Sequence, residues 1–185
     1  VIDNYINIAT QKNRGLDLNI AYGMHVGLGD LDLRLQASHQ LDDEVTLLAN
    51  SDAIDFNGEI GDPKWVGSFD ATLNTGPWSV FWGVRYVGET SNVDSFGGQP
   101  QTYRGEDVRY VLQTDDFMYH NFSLGREFEG GIGVRIGVSN VFDTQPPYVT
   151  TDLSGEYNSV GNVPLSGGQY DFLGRTVFAN ITKTF

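Results

Sequence analysis

Any chemistry in this chain must come from carboxylates, aromatic rings and three separated histidines, because it contains no cysteine. That absence removes thiolate metal sites, thiol redox chemistry and a disulfide scaffold. His25, His39 and His120 sit far apart with no ligand-like spacing, and isolated histidines are more often structural than coordinating. There is no nucleophile elbow, zinc-helix motif or phosphate-binding loop. Gly131-x-Gly133 has no helical pattern after it, which a dinucleotide fingerprint requires. The chain is therefore expected to be neither an enzyme nor the holder of a cofactor. Charge is more informative: 24 acidic against 11 basic residues leave a net charge of −13, and a pI near 4.3 argues against a nucleic-acid partner. The acids gather in one stretch at Asp42, Asp43, Glu44, Asp52, Asp55, Glu59 and Asp62. Such a stretch suits divalent cations or a cationic or neutral ligand. Within it, Asp55, Asn57 and Glu59 alternate as the oxygen ligands of a calcium loop do, but the match is partial and solvated surface is the favoured reading. Ligand capture would fall to aromatic and polar side chains in loops: Phe96, Tyr103, Arg104, Tyr110, Tyr148 and Tyr157.

These residues need elements to hold them, and the elements are strands. Leu16, Leu18, Ile20, Tyr22, Met24 and Val26 alternate with Asp17, Asn19, Ala21, Gly23 and His25, a period of two. After Gly27-Leu28-Gly29-Asp30 the alternation resumes at Leu31, Leu33, Leu35 and Ala37, which makes a hairpin. It returns at Trp65 to Leu73 and Trp78 to Tyr86 around Asn74-Thr75-Gly76-Pro77, and again at Phe122 to Phe128 and Ile132 to Val138 around Glu129-Gly130. Val177, Ala179, Ile181 and Phe185 close the series. The pattern predicts an all-β antiparallel meander of seven strands of roughly ten residues, with the tail of an eighth at Tyr5 to Ile8. Turns near 27–30, 74–77 and 129–130 are minimal, whereas connections near 42–62, 88–117 and 143–171 exceed the ~15 residues common in compact domains. Short turns at one end and long loops at the other give the sheet a polarity.

No run is long enough for a membrane helix: Trp78 to Val84 falls far short of the roughly 18 residues required. Strands can still cross a membrane, since lipid-facing residues occupy only every second position. The face opposite the apolar one decides the matter. It carries Ala21, Gly23, Gly83, Gly125, Gly133 and Gly137 with Ser38, Ser68, Ser79, Ser123 and Ser139. Its charges, Asp17, Asp32, Asp70 and Glu127 against Arg34, Arg85 and Arg135, suit the mixed wall of a polar lumen. Trp78, Phe128 and Phe185 mark one interfacial girdle, Trp65 and Tyr86 the other. Trp78 and Tyr86 lie on one face at a separation of about 20 Å of depth, close to the height of an apolar band. A closed barrel of so few strands fills its interior with side chains, and this inner face is too small for that. An arc of a larger wall is expected, with the remaining strands upstream of Val1. A passive outer-membrane channel or small structural barrel, and a soluble all-β binding module for carbohydrate, are the alternatives.

The segment Gly137-Val138-Ser139-Asn140-Val141-Phe142-Asp143-Thr144-Gln145-Pro146-Pro147, followed by Tyr170-Asp171-Phe172-Leu173-Gly174-Arg175 and a strand ending at Phe185, resembles the C-terminal end of TonB-dependent outer-membrane receptors. Asn13-Arg14-Gly15-Leu16-Asp17-Leu18, Pro63-Lys64-Trp65 and Trp82-Gly83-Val84-Arg85-Tyr86-Val87-Gly88 extend the resemblance over nearly the whole chain. It implies that residues 1–185 form the last third of a transmembrane barrel of about 22 strands in a Gram-negative outer membrane, the plug domain lying outside them. The implied activity is TonB-dependent uptake of a scarce nutrient such as siderophore-bound iron, cobalamin or a carbohydrate. The implied partners are TonB through the missing N-terminal part, outer-membrane lipid and lipopolysaccharide around the wall, and the barrel assembly machinery through Phe185. Acidic loops would bridge divalent cations at the lipopolysaccharide surface. Asn140 and Asp143 are expected to bond local backbone where a strand leaves the membrane, and Pro146-Pro147 to end ladder pairing. Gly174 lets the chain re-enter the wall, and Arg175 is expected to pair with a loop carboxylate.

Overall fold

The structure, a computed structural model, describes residues 10–48, 51–96, 101–108, 110–150, 159–160, 163–164 and 170–185. In chain order the strands are β1 (Thr10–Val26), β2 (Gly29–Thr46), β3 (Ile54–Asp55), β4 (Trp65–Thr75), β5 (Trp78–Val87), β6 (Thr90–Ser91), β7 (Gln101–Tyr103), β8 (Glu106–Val108), β9 (Gln113–Thr114), β10 (Phe117–Phe128), β11 (Ile132–Ser139), β12 (Ser159–Val160), β13 (Val163–Pro164) and β14 (Thr176–Lys183). One helical turn, α1 (Val93–Phe96), lies between β6 and β7. The long strands form one antiparallel sheet in the order β1-β2-β4-β5-β10-β11-β14, with β3 added beside β2. The expected meander is present, and Tyr5 to Ile8 lie outside the described residues.

The period of two sorts side chains onto two faces. Cross-strand register places Tyr22, Leu33, Ala71, Trp82, Phe122 and Val138 in one row on the apolar face. Leu16, Leu18 and Tyr22 on this face are 49–63% exposed, so the apolar residues are turned outward rather than into a core. The opposite face is polar and cross-linked. Arg85 donates to Asp70 at 2.8 Å, while Arg135 donates to Ser123 at 3.1 Å and Asp17 accepts from Ser38 at 2.5 Å. Of the expected charge pairs, only Asp70–Arg85 closes as an ion pair among the described residues. Nor is this face uniformly small: Phe81 lies over Gly83 and Phe178 over Gly137, where any Cβ would collide with the ring. Two inward phenylalanines thus fill space left by glycines on neighbouring or same-strand positions.

Two exceptions to the apolar face have physical reasons. Arg126 lies between the Trp78 and Phe128 rings, 4.8 and 4.7 Å from their centroids, where a long cation reaches the interface while its stem stays apolar. Lys183, at the same end, bonds the Gly130 carbonyl and lies 5.7 Å from the Phe185 ring.

β1 and β2, of 17 and 18 residues, are longer than the pattern predicts. Asn13-Arg14-Gly15 marks not a strand opening but a β-bulge between Arg14 and Gly15, where Leu41 is the extra residue. Beyond it the pairs are Arg14–Asp42 at 2.5 Å and Lys12–Glu44 at 3.4 Å. The bulge therefore separates the apolar span from a charged ribbon that continues past it. Asp42, Asp43 and Glu44, expected in a loop, are strand residues.

The core sits at the long-loop end on the polar-face side. Val87 and Phe117 pair across β5 and β10 and pack with Val163 and Tyr170 of the last connection, Tyr119 lying against them. The three long connections also dock on one another. Ile60 N–H donates to Asn92 at 2.5 Å, Asn92 N–H to Leu112, and Val111 N–H to the Thr150 hydroxyl at 2.7 Å.

Adjacent positions on β4 test the facing. Ala71→Arg, near mid-strand on the apolar face, is expected to cost about 2–4 kcal/mol, and Thr72→Arg, in the polar recess with Asp32 and Asp70, clearly less. Unfolding in detergent measures both, and equal losses would contradict the assignment. Val134 is a poorer probe than its position in the pattern implies, because it pairs with Arg126 close to the short turn.

Candidate functional site

The long-loop rim is built from the residues that stop the strands. Asn140 follows β11 with φ of +52° and is fully buried. Its side-chain amide donates to the Thr144 carbonyl and its amide oxygen accepts from the Thr144 N–H, both at 2.9 Å, while its own N–H donates to Asn121 Oδ1 at 3.0 Å. Asparagine tolerates the left-handed conformation and imitates a backbone turn. Asp143, also left-handed at φ +54°, accepts the Arg175 N–H at 2.8 Å. The expectation for Arg175 is corrected here: its backbone amide, not its guanidinium, takes the carboxylate. Gly174 makes this possible, since its φ is +68° and a Cβ would lie 2.9 Å from Asp143 Oδ1. The two motifs thus form one clasp between the end of β11 and the start of β14. Pro146 is buried, Pro147 half-buried, and no ladder continues through them.

Phe142 points outward, 68% exposed, with its ring edge-on to His120 at 5.1 Å. Trp82 Nε1 donates to His120 Nδ1 at 3.3 Å. An indole N–H facing lipid needs such an acceptor, because hydrocarbon supplies none. A second pair, His39 and Trp65, stacks at 3.9 Å and 10°. His39 Nδ1 lies 3.1 Å from the Lys64 carbonyl, which can only accept, so Nδ1 carries the proton. Phe185 is fully exposed beyond β14.

Two of the ligand candidates lie on neighbouring segments. Tyr110 and Tyr148, 39% and 62% exposed, lie on segments joined through Val111 and Thr150. Arg104 forms the β7–β8 turn at φ +53°. Phe96 ends α1 and Tyr103 ends β7, and Tyr157 lies outside the described residues. The weak calcium resemblance is spent on turns: Asp55 Oδ1 accepts from Asn57 N–H at 2.9 Å, and Asn57 Nδ2 donates to Gln40 O at 3.3 Å. Glu59 N–H closes onto Phe56 O. Among the described residues no group of three or more acids and histidines is placed to hold a metal. Partial burial and then Asp43 raise the Asp62 carboxyl above its usual range.

What residue type alone did not reveal is a cleft of about 550 Å³ between the first two long connections, lined by Lys64, Trp65, Tyr86, Glu89, Gln113, Asp115 and Asp116 among others. The signal for its floor was parity, since Trp65 and Tyr86 both fall on the apolar face.

Taken together, an outward apolar face, a polar inner face and long connections at one end define a transmembrane β-barrel wall. The family described as TonB dependent receptor-like, beta-barrel, matches residues 2–182, and the chain belongs to it. That family serves TonB-dependent transport at the outer membrane in general, and its members are typically transporters. No curated protein and no solved structure matches the chain significantly.

Two outcomes follow from the rim. Asn140→Ala leaves both Thr144 groups without partners and forces alanine into a left-handed conformation, so unfolding stability should fall by about 2–4 kcal/mol. A loss under ~0.5 kcal/mol, as at ordinary surface sites, would contradict the clasp. For Asp62, a raised carboxyl favours the folded loop while protonated and penalises it once pH passes the folded pKa. Asp62→Asn should therefore protect residues 51–64 from protease at neutral pH, and the gain should vanish on acidification through the carboxylate range. A gain independent of pH would show that charge is not its cause.

Proposed function

We propose that this chain is the C-terminal arc of the barrel of an active nutrient importer, working with a plug and a TonB-contacting segment N-terminal to it. One observation carries the proposal: among the described residues the sheet runs from β1 to β14 without closing on itself, and its inner face is polar and cross-linked, as at Asp70–Arg85 and Ser123–Arg135. Such a face suits a wide lumen that another domain occupies. The loop layer at the rim supports capture of a ligand there, with Arg104, Tyr110 and Tyr148 exposed on it. Siderophore-bound iron, cobalamin and carbohydrate are the substrate classes in view. Phe185, exposed past the last strand, supports recognition by the barrel assembly machinery.

The test is uptake by cells whose outer membrane carries the protein as its host makes it, supplied with each labelled nutrient class at scarcity. Uptake should stop when TonB is deleted or the inner-membrane proton gradient is collapsed. Uptake that persists would make the protein a passive channel. Deleting Phe185 should lower the amount in the outer membrane several-fold and Phe185→Tyr should restore it; unchanged levels on deletion would remove the assembly role.

A further inference from the structure

The cleft beside Trp65 faces the membrane rather than the lumen. Trp65 and Tyr86 belong to the apolar, lipid-facing rows of β4 and β5 and sit at the long-loop ends of those strands, the height of an interfacial girdle. The rest of the lining comes from the connections: Lys64 from the first, and Glu89, Gln113, Asp115 and Asp116 from the second.

The aromatic floor is held in place before any ligand arrives. The Trp65 ring, 48% exposed, lies flat on His39, which the Lys64 carbonyl orients. Gly88 N–H donates to Trp65 O at 2.7 Å, and a Cβ at Gly88 would stand 3.0 Å from that oxygen. A side chain at Gly88 would crowd the tryptophan backbone, so the glycine eases the close passage of the second connection over Trp65. The acidic wall is fixed as well. β6 and β9 form a two-rung clip, Thr90 opposite Thr114, with the two buried hydroxyls bonded at 2.8 Å. Glu89 directly precedes β6 and Asp115 directly follows β9, so both adjoin that rung. Among the described residues Glu89, Asp115 and Asp116 enter no ion pair.

A rigid indole face with a phenol beside it offers an apolar platform for a flat ring bearing C–H groups. Three carboxylates accept hydroxyl or ammonium donors, and Lys64 donates to a ring or acidic oxygen. Three acids against one lysine disfavour a bare phosphate. Apolar platform, hydroxyl acceptors and a place at headgroup depth converge on one ligand. We propose that this cleft binds a sugar of an outer-leaflet glycolipid headgroup directly, stacking it on Trp65 and bonding its hydroxyls through Glu89, Asp115 and Asp116. The proposal rests on the outer-membrane placement above, which membrane fractionation checks separately.

The test is native mass spectrometry of the full-length protein in a sugar-free detergent. The probes are rough-type lipopolysaccharide that retains its core hexoses, the same core oligosaccharide freed of lipid, and phosphatidylethanolamine. One lipopolysaccharide should be retained in the presence of EDTA. Trp65→Ala should weaken it on the order of tenfold and Trp65→Phe far less. The triple variant Glu89→Gln, Asp115→Asn, Asp116→Asn should weaken it as well. Shifted mobility of unheated samples on gels confirms that each variant is folded. Loss of binding in EDTA would replace direct recognition with a cation bridge. Unchanged or tighter binding by the triple variant would remove the carboxylates from the site. Equal retention of phosphatidylethanolamine would show an unspecific lipid contact, and equal binding of the free oligosaccharide would show that the ligand is not a membrane lipid.

Discussion

A backbone crossing hydrocarbon must satisfy every N–H and C=O within the protein, because the lipid offers no partner. In this chain that requirement is met by continuous antiparallel pairing from β1 to β14, and the other features answer its consequences. Pairing fixes register, and register fixes which residues meet lipid: a slip of one position would bring Asp32, Arg34 and Asp70 outward and Leu33 and Ala71 inward. Within the apolar span, the outward cations Arg126 and Lys183 lie at the short-turn end, beside aromatic rings and within reach of the interface. The outward imidazoles, His39 and His120, lie toward the other end, each against a tryptophan.

Where the ladder ends, unpaired groups must find substitutes, and the rim is organised by that need. Asn140 and Asp143 supply them by folding back in left-handed conformations, and Gly174 brings the amide of Arg175, just before β14, to the Asp143 carboxylate. At the other margin of the sheet the β1–β2 bulge answers a different need, as the outward pairs change from Leu16 opposite His39 to Arg14 opposite Asp42. One edge of the sheet thus leaves the apolar layer by turning, the other by charging its outer pairs. The connections then hold one another through Asn92 and Thr150, so the loop layer is a packed surface rather than a set of free loops.

The strand rows, the turn positions and the polarity of the ends were legible in the sequence because each follows from a local period of two. The bulge was not, since Leu41 continues an apolar pattern and only the partner strand shows it to be surplus. Phe81 and Phe178 were missed for a related reason: what makes room for them is a glycine two residues away in one case and across the ladder in the other. Arg175 was assigned by the charge of its side chain, whereas its backbone amide makes the contact. The ligand candidates were chosen by residue type within loops, and docking of the loops depends on long-range contacts such as Ile60 with Asn92 that no local pattern encodes. The Trp65 cleft lies between these cases, because its aromatic floor could be read from parity and its acidic wall could not be placed beside that floor.

The central claim is that one face of this sheet meets lipid and the other a watery lumen. With no cysteine in the 185 residues, single cysteines can be placed in turn at positions 79–84 of β5 and spin-labelled in the full-length protein, reconstituted in bilayers. The measurement is the collision rate of each label with oxygen, which concentrates in lipid, and with a water-soluble nickel complex. The account predicts a period of two: oxygen maxima at Val80, Trp82 and Val84, nickel maxima at Ser79, Phe81 and Gly83. Accessibility without that alternation, or with its phase reversed, would contradict it.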